Sequence, residues 1–243
     1  MRIDVADVFA ECTRQLGGIV LDDVPSSSKR KNADFAFEDY GVVVELKCME
    51  ESFWGKEAFQ RKLSFLADNW IRRGLVPPGP AGKRTFELSS LPEECQRDFS
   101  NLLKNKLSGY FKEANRQIRT TKEDLGMINA PGVLILVNDG NVKLPPRIVR
   151  HLSALLLANN FRCINTVLHV IANLEVTSIE QEQPFRVWSP WGIKRASETP
   201  QKFLEDLRRV YLDVLDSRGH HAESVDGSLE MFEHLEIAAP RAS

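Results

Sequence analysis

A strand that is apolar along most of its length, yet carries two opposite charges on one face, constrains this chain more than any other stretch. Residues 42–48 read Val-Val-Val-Glu-Leu-Lys-Cys. Side chains alternate faces along a strand, so Glu45 and Lys47 share one face while Val44 and Leu46 take the other. A second β-like run, Ala33–Phe37, precedes it, and Asp39-Tyr40-Gly41 between them is a turn signal. With a two-residue loop centred on Asp39-Tyr40, opposed residues have numbers that sum to 79, which sets Asp34 opposite Glu45. Cross-strand neighbours have Cβ atoms roughly 4.5–5.5 Å apart, close enough for two carboxylates to grip one cation. Lys47 follows about 6–7 Å along the same face. A slip of one residue would send Asp34 to the other side, so the juxtaposition depends on register.

Alternating charges also arise on the solvated face of an edge strand. Here the rest of the strand is apolar enough to be central and buried, where charges are costly unless paired or metal-bound. The acid on the preceding strand also falls into register. Asp34, ten residues, then Glu45-Leu46-Lys47 resembles the signature of the PD-(D/E)XK nuclease superfamily, with Ala33 in the place of the motif's proline. The resemblance covers about 50 residues. It implies a restriction-endonuclease-like fold, an α/β mixed sheet flanked by helices. It implies further that Asp34, Glu45 and the backbone carbonyl of Leu46 hold Mg2+ or Mn2+, and that Lys47 assists the attacking water or the charged phosphate. An acidic residue on a first helix often points at the metal in that superfamily, and Glu11 is the one residue suitably placed for this. A solvated helix glutamate is the alternative reading of Glu11.

The chain of 243 residues, 42% hydrophobic, can bury one sizeable core. Net charge is −2, so positive charge for a nucleic-acid partner would have to be confined to a groove. The four cysteines, at 12, 48, 95 and 163, form no C-x-x-C pair, which fits a reducing compartment and disfavours a zinc site. No apolar run approaches 18 residues and the N-terminus lacks a signal-peptide pattern, so a cytoplasmic protein without membrane contact is expected.

Val5, Val8, Phe9, Cys12 and Leu16 predict a helix over 4–16, closed by Gly17-Gly18. Ile19–Leu21 can start a strand, and Ser28–Lys31 is a short basic run before the proposed site. Phe59, Leu63, Leu66 and Trp70 predict a helix over 56–73 with Lys56, Arg61, Lys62, Arg72 and Arg73 on its other face. Residues 74–92 hold four prolines and three glycines and read as a long loop, with a short strand over Thr85–Leu88. The region 93–123 is helical and the most basic in the chain, with Gly109 a candidate kink. Lys112, Arg116 and Arg119 recur at i, i+4 and i+7 and can track phosphates along one face. Asn115 and Gln117 lie near them, and by the resemblance Gln117 contacts substrate.

Gly132–Val137 is a buried strand ended by the turn signal Asn138-Asp139-Gly140, where Asp139 is a turn residue rather than a third ligand. A helix over 147–159, strands over 163–172 and 185–188 and a helix over 201–215 follow, with His169 a core histidine and Trp188 and Trp191 packing on the core or shaping a rim. Residues 1–216 thus form one α/β domain. Residues 217–243 read as a flexible tail or a partner-binding helix, with His220-His221 a weak metal lure. The expected function is metal-dependent hydrolysis of phosphodiester bonds in nucleic acid, DNA favoured over RNA, with a homodimer one expected assembly. An inactive module on the same fold, binding nucleic acid or a protein partner, is the alternative.

Overall fold

A computed structural model describes residues 2–24, 31–78, 90–141, 144–159, 161–178, 181–192, 200–220, 224–226 and 236–240. Strands β1 (Ile19–Val20), β2 (Phe35–Phe37) and β3 (Val42–Met49) form an antiparallel meander. β4 (Gly132–Asn138) and β5 (Thr166–Ile171) continue from β3 in parallel, and β7 (Gln181–Gly192) returns antiparallel beside β5. Beyond this mixed core, β6 (Leu174–Ser178) joins β7 to β9 (Glu236–Pro240), and β8 (Ser224–Asp226) lies parallel to β7.

Alternation along the central strands sorts the core into two layers. Val133, Ile135 and Val137 of β4 face α1 (Val5–Gln15) and α5 (Gln201–Ser217), in a cluster with Val8, Phe9, Leu207 and Tyr211. Leu134 and Leu136 face the opposite way, against Leu107, Phe111 and Ile118 of α3 (Glu93–Asp124) and Leu152 and Leu156 of α4 (Pro146–Asn159). Every residue of β4 and β5 is buried, as parallel strands covered on both faces require. The result is a mixed α/β sheet flanked by helices.

α3 runs 32 residues, about 48 Å, without interruption at Gly109. Its second half lies on the sheet, and its first half extends outward to meet α2 (Glu57–Arg72). There Trp70, Ala67, Val76, Leu91 and Cys95 form a small separate cluster, and the Trp70 indole donates to Asp98 Oδ2 at 3.0 Å.

The helices start and stop within about two residues of the expected bounds. The chain's end differs from expectation. Residues 224–226 and 236–240, expected in a tail or a partner helix, are strands on the sheet, and the strand expected over 185–188 is the longer β7. An outer strand presents unpaired amides and carbonyls, and strands from the chain's end cover them. The expected Thr85–Leu88 strand, residues 28–30 of the basic run, His221 and the apolar residues between 229 and 235 lie outside the described residues, as does the Trp191 side chain. Trp188 is buried and packs on Tyr211 with ring centroids 5.2 Å apart. Among the described residues no helix is long and apolar enough to cross a membrane.

Candidate functional site

The β2–β3 hairpin carries the expected register: Phe35 pairs with Val44, Ala36 with Val43 and Phe37 with Val42. A four-residue turn closes it, the Gly41 N–H donating to the Glu38 carbonyl at 3.0 Å, and Gly41 takes φ +60°, which glycine tolerates without a Cβ penalty. One step further along this register, Asp34 stands opposite Glu45. β2 has ended there, so beyond Val44 that edge of β3 has no strand partner among the described residues. Asp34 fills the first vacant position with its side chain, Oδ2 accepting the Leu46 N–H at 2.7 Å. The N–H and C=O of one strand residue point to the same edge, so the Leu46 carbonyl is directed to the side on which Asp34 lies.

Glu45 projects onto the α3 face of the sheet, among Val43, Leu134 and Leu136, with no exposed surface. The Lys47 ammonium lies 2.7 Å from Glu45 Oε1 and the Asp34 carboxyl interacts with the Glu45 carboxyl, yet neither buried Glu45 oxygen makes a well-formed hydrogen bond among the described residues. Burial first, and the neighbouring Asp34 carboxylate second, push the Glu45 carboxyl up to about 8. Burial also raises Asp34, against the opposing pull of the Leu46 N–H and of Lys47. Burial alone would lower Lys47, yet Glu45, Glu113 and Asp34 together hold it above its ordinary value.

α3 supplies the rest of the enclosure. Gln117 is fully buried; its Oε1 accepts from Lys47 Nζ at 3.0 Å and its Nε2 donates to the Asn32 carbonyl at 2.8 Å. Glu113, one turn earlier, lies 3.6 Å from Lys47 Nζ and 3.4 Å from Lys31 Nζ. These two lysines outweigh its partial desolvation and hold its carboxyl below the ordinary value. The Ala33 N–H donates to Thr121 Oγ1 at 2.7 Å, so α3 grips the strand leading into Asp34 at three successive turns.

Three expectations change here. Gln117 does not share an exposed face with the basic residues: at 100° per residue it lies about a third of a turn around α3 from Lys112, Arg116 and Arg119, and it is buried beneath Lys47. Those three residues are exposed, as a stripe open to phosphates must be. Glu11 does not reach the carboxylate pair. Its helix packs on the opposite face of the sheet, and its carboxylate pairs with Arg218 of the α5 C-terminus and accepts from Gln15. Asn115, expected near the basic face, instead accepts the Cys163 N–H at 2.9 Å. Glu113 and Asn32 were not singled out from the sequence; the signal for Glu113 was its spacing of four from Gln117, which puts both on one helical edge.

Asp139 stands in the turn after β4 and His169 in the core, as expected. Asp139 is buried and bonded to Arg2 and Asn173, and desolvation pulls His169 down to about 3. Among the described residues no three His, Cys, Asp or Glu side chains gather as a metal cluster. The donors on hand are two carboxylates and a carbonyl, all oxygen. That set fits Mg2+, which is commonly held by one or two carboxylates and completes its shell with water and substrate phosphate, and it does not fit a closed zinc site. Neither buried oxygen of Glu45 makes a well-formed hydrogen bond among the described residues, and a cation between Glu45 and Asp34 would provide the missing partner. No protein-family model matches this chain, and no curated protein or solved structure matches it.

Proposed function

We propose that this protein is a metal-dependent nuclease with a restriction-endonuclease-like core, hydrolysing phosphodiester bonds in nucleic acid, with DNA the favoured substrate. The observation that carries this reading is the convergence of Asp34, Glu45 and Lys47 beside α3, where β2 ends and β3 runs on. Asp34, Glu45 and the Leu46 carbonyl would hold Mg2+ or Mn2+. A bound divalent ion polarises the scissile phosphate and lowers the pKa of water. Glu45 would have to give up its proton to hold the ion, and Lys47, which contacts the neutral acid, would then be free to leave it. Its ammonium can turn to the phosphate and offset the negative charge that builds there, while Gln117 and Glu113 limit where it swings.

Cleavage of plasmid, single-stranded DNA and RNA, each with magnesium, manganese or chelator, tests this. Wild-type protein is expected to cut in the presence of metal, and Asp34→Ala, Glu45→Ala and Lys47→Ala each to abolish cutting while far-UV circular dichroism is unchanged. Unchanged turnover in Glu45→Ala would sink the proposal.

One observation favours a second reading, a non-cutting module that binds nucleic acid or a protein. Lys47 already sits 2.7 Å from Glu45 Oε1, which would make the two a closed structural pair. Folded wild-type protein that neither cuts nor binds magnesium in calorimetry would favour that module.

A further inference from the structure

Phe65 is the largest apolar side chain left in solvent among the described residues, 67% exposed on a helix whose other aromatic residues, Phe59 and Trp70, are buried. It stands at the lip of an open groove of about 550 Å³ between α2 and α3. Two facing helical stripes form the walls. Ala58, Arg61, Lys62 and Phe65 recur at i, i+3, i+4 and i+7 on α2, and Asp98, Asn101, Leu102 and Asn105 repeat that spacing on α3. The lining is an unusual mixture: an exposed aromatic ring, a guanidinium, an ammonium and two side-chain amides over an apolar floor of Leu66 and Leu102. Two groups are already engaged. Asp98 accepts the Trp70 indole N–H, and Arg61 pairs with Glu57 at 2.8 Å, an exposed contact that a phosphate can displace.

The groove leads toward the carboxylates. Leu102, Lys106, Gly109, Glu113 and Gln117 follow one another along a single edge of α3, and Asn105 precedes Glu113 by about 12 Å of helix rise. Of the groove residues on α3, Leu102 shares the edge of Glu113 and Gln117 that holds Lys47, while Asn101 and Asn105 share the neighbouring face of Lys112, Arg116 and Arg119, so a strand lying along α3 from the groove passes over the basic row beside the carboxylates.

Resting on the nuclease reading, we infer that the α2–α3 groove binds a single-stranded segment of the nucleic acid next to the bond that is cut. One base stacks on Phe65, Arg61 and Lys62 meet the backbone, and Asn101 and Asn105 face base edges. Every base offers a π-face, so stacking on one ring with cations alongside grips a strand without demanding a sequence. A duplex keeps its bases stacked on each other and offers no free face to Phe65. The lining surface is mostly apolar, as a stacking platform is, and the Arg61 and Lys62 head groups at its margin suit a phosphate backbone.

The test is fluorescence anisotropy of labelled single-stranded DNA and RNA oligonucleotides and of a DNA duplex, with the full chain in chelator so that nothing is cut. The single strands are expected to bind more tightly than the duplex. Phe65→Ala is expected to weaken single-strand binding about 5-fold or more, and Phe65→Trp to restore it. Arg61→Ala and Lys62→Ala should each reduce the slope of log affinity against log salt by ~0.7. Phe65 is exposed enough that these variants should melt with the wild type. Equal binding by Phe65→Ala and wild type would overturn the inference, as would wild-type protein that binds no oligonucleotide. Phe65-dependent self-association without oligonucleotide binding would also overturn it and mark the groove as a contact between copies. Metal-dependent cutting that ignores Phe65 removes only the groove; Phe65-dependent binding without cutting in any metal removes only the nuclease.

Discussion

At position 45 a carboxyl group with no solvent exposure stands on a sheet face otherwise lined by Val43, Leu134 and Leu136. Desolvating a carboxylate costs several kcal/mol, the neighbouring Asp34 carboxyl adds repulsion, and a single ammonium beside Oε1 does not offset both. The metal-free protein answers by holding a proton on Glu45, which gives a sign to its pH dependence. Between pH 4.5 and about 8 the folded state keeps a proton that the unfolded chain releases, so stability falls as pH rises through that window. Lys47 does not reverse this, because its value is raised from 10.5 and its own loss of charge comes at higher pH. Thermal melts across the window should show the decline, on the order of a few kcal/mol in total, and Glu45→Gln should flatten it. Added magnesium should stabilise the wild type most at the upper end, where the carboxylate is most readily ionised. An equal decline in Glu45→Gln would place the proton elsewhere.

The hairpin is the element that brings Asp34 and Glu45 together, and its register rests on the turn. Gly41 has φ +60° with open space where a Cβ would stand, so Gly41→Ala is expected to cost only the left-handed backbone term, about 1–2 kcal/mol. Gly140, in the turn after β4, is different in kind. A Cβ there would lie 1.9 Å from the Glu50 carbonyl oxygen, at the point where β3 leaves the sheet. Gly140→Ala must push this turn and the Glu50 backbone apart and is expected to exceed the ~3 kcal/mol of ordinary substitutions. Urea denaturation of the two variants checks this order, and a Gly41→Ala midpoint equal to wild type would show that the turn tolerates alanine. Much at this scale was legible beforehand. The pairing that sums to 79 needed only the turn and the period-two alternation, both local. Gln117 was misplaced because its basic neighbours suggested one shared face, whereas a third of a turn separates an exposed guanidinium from a buried amide.

Across the whole molecule a net charge of −2 hides an uneven distribution. Lys112, Arg116 and Arg119 form an exposed row on the half of α3 that lies over the sheet, and Arg61 and Lys62 line the groove at the other half. Such a row would bring a polyanion in despite the overall charge. Replacing Lys112, Arg116 and Arg119 by alanine should weaken oligonucleotide binding across all sequences alike and reduce the salt slope by about 2, with the melting temperature nearly unchanged. A slope equal to that of the wild type would show that nucleic acid does not lie along α3.

The boundary between what the chain's order of residues determined and what tertiary structure decided follows the range of the forces involved. Strand alternation, helical stripes, the hairpin register and the buried character of β4 are set by neighbours within a few residues, so Asp34, Glu45 and Lys47 could be read as one group from the sequence. The partners of that group lie far along the chain. Glu113 and Gln117 reach Lys47 only because α3 crosses the sheet at one angle, and Glu11 misses the site because α1 packs on the other face. The same holds for the strands after α5 and for the groove beside Phe65. Each depends on which surfaces meet when elements pack, and packing energy is shared among residues that no local pattern links.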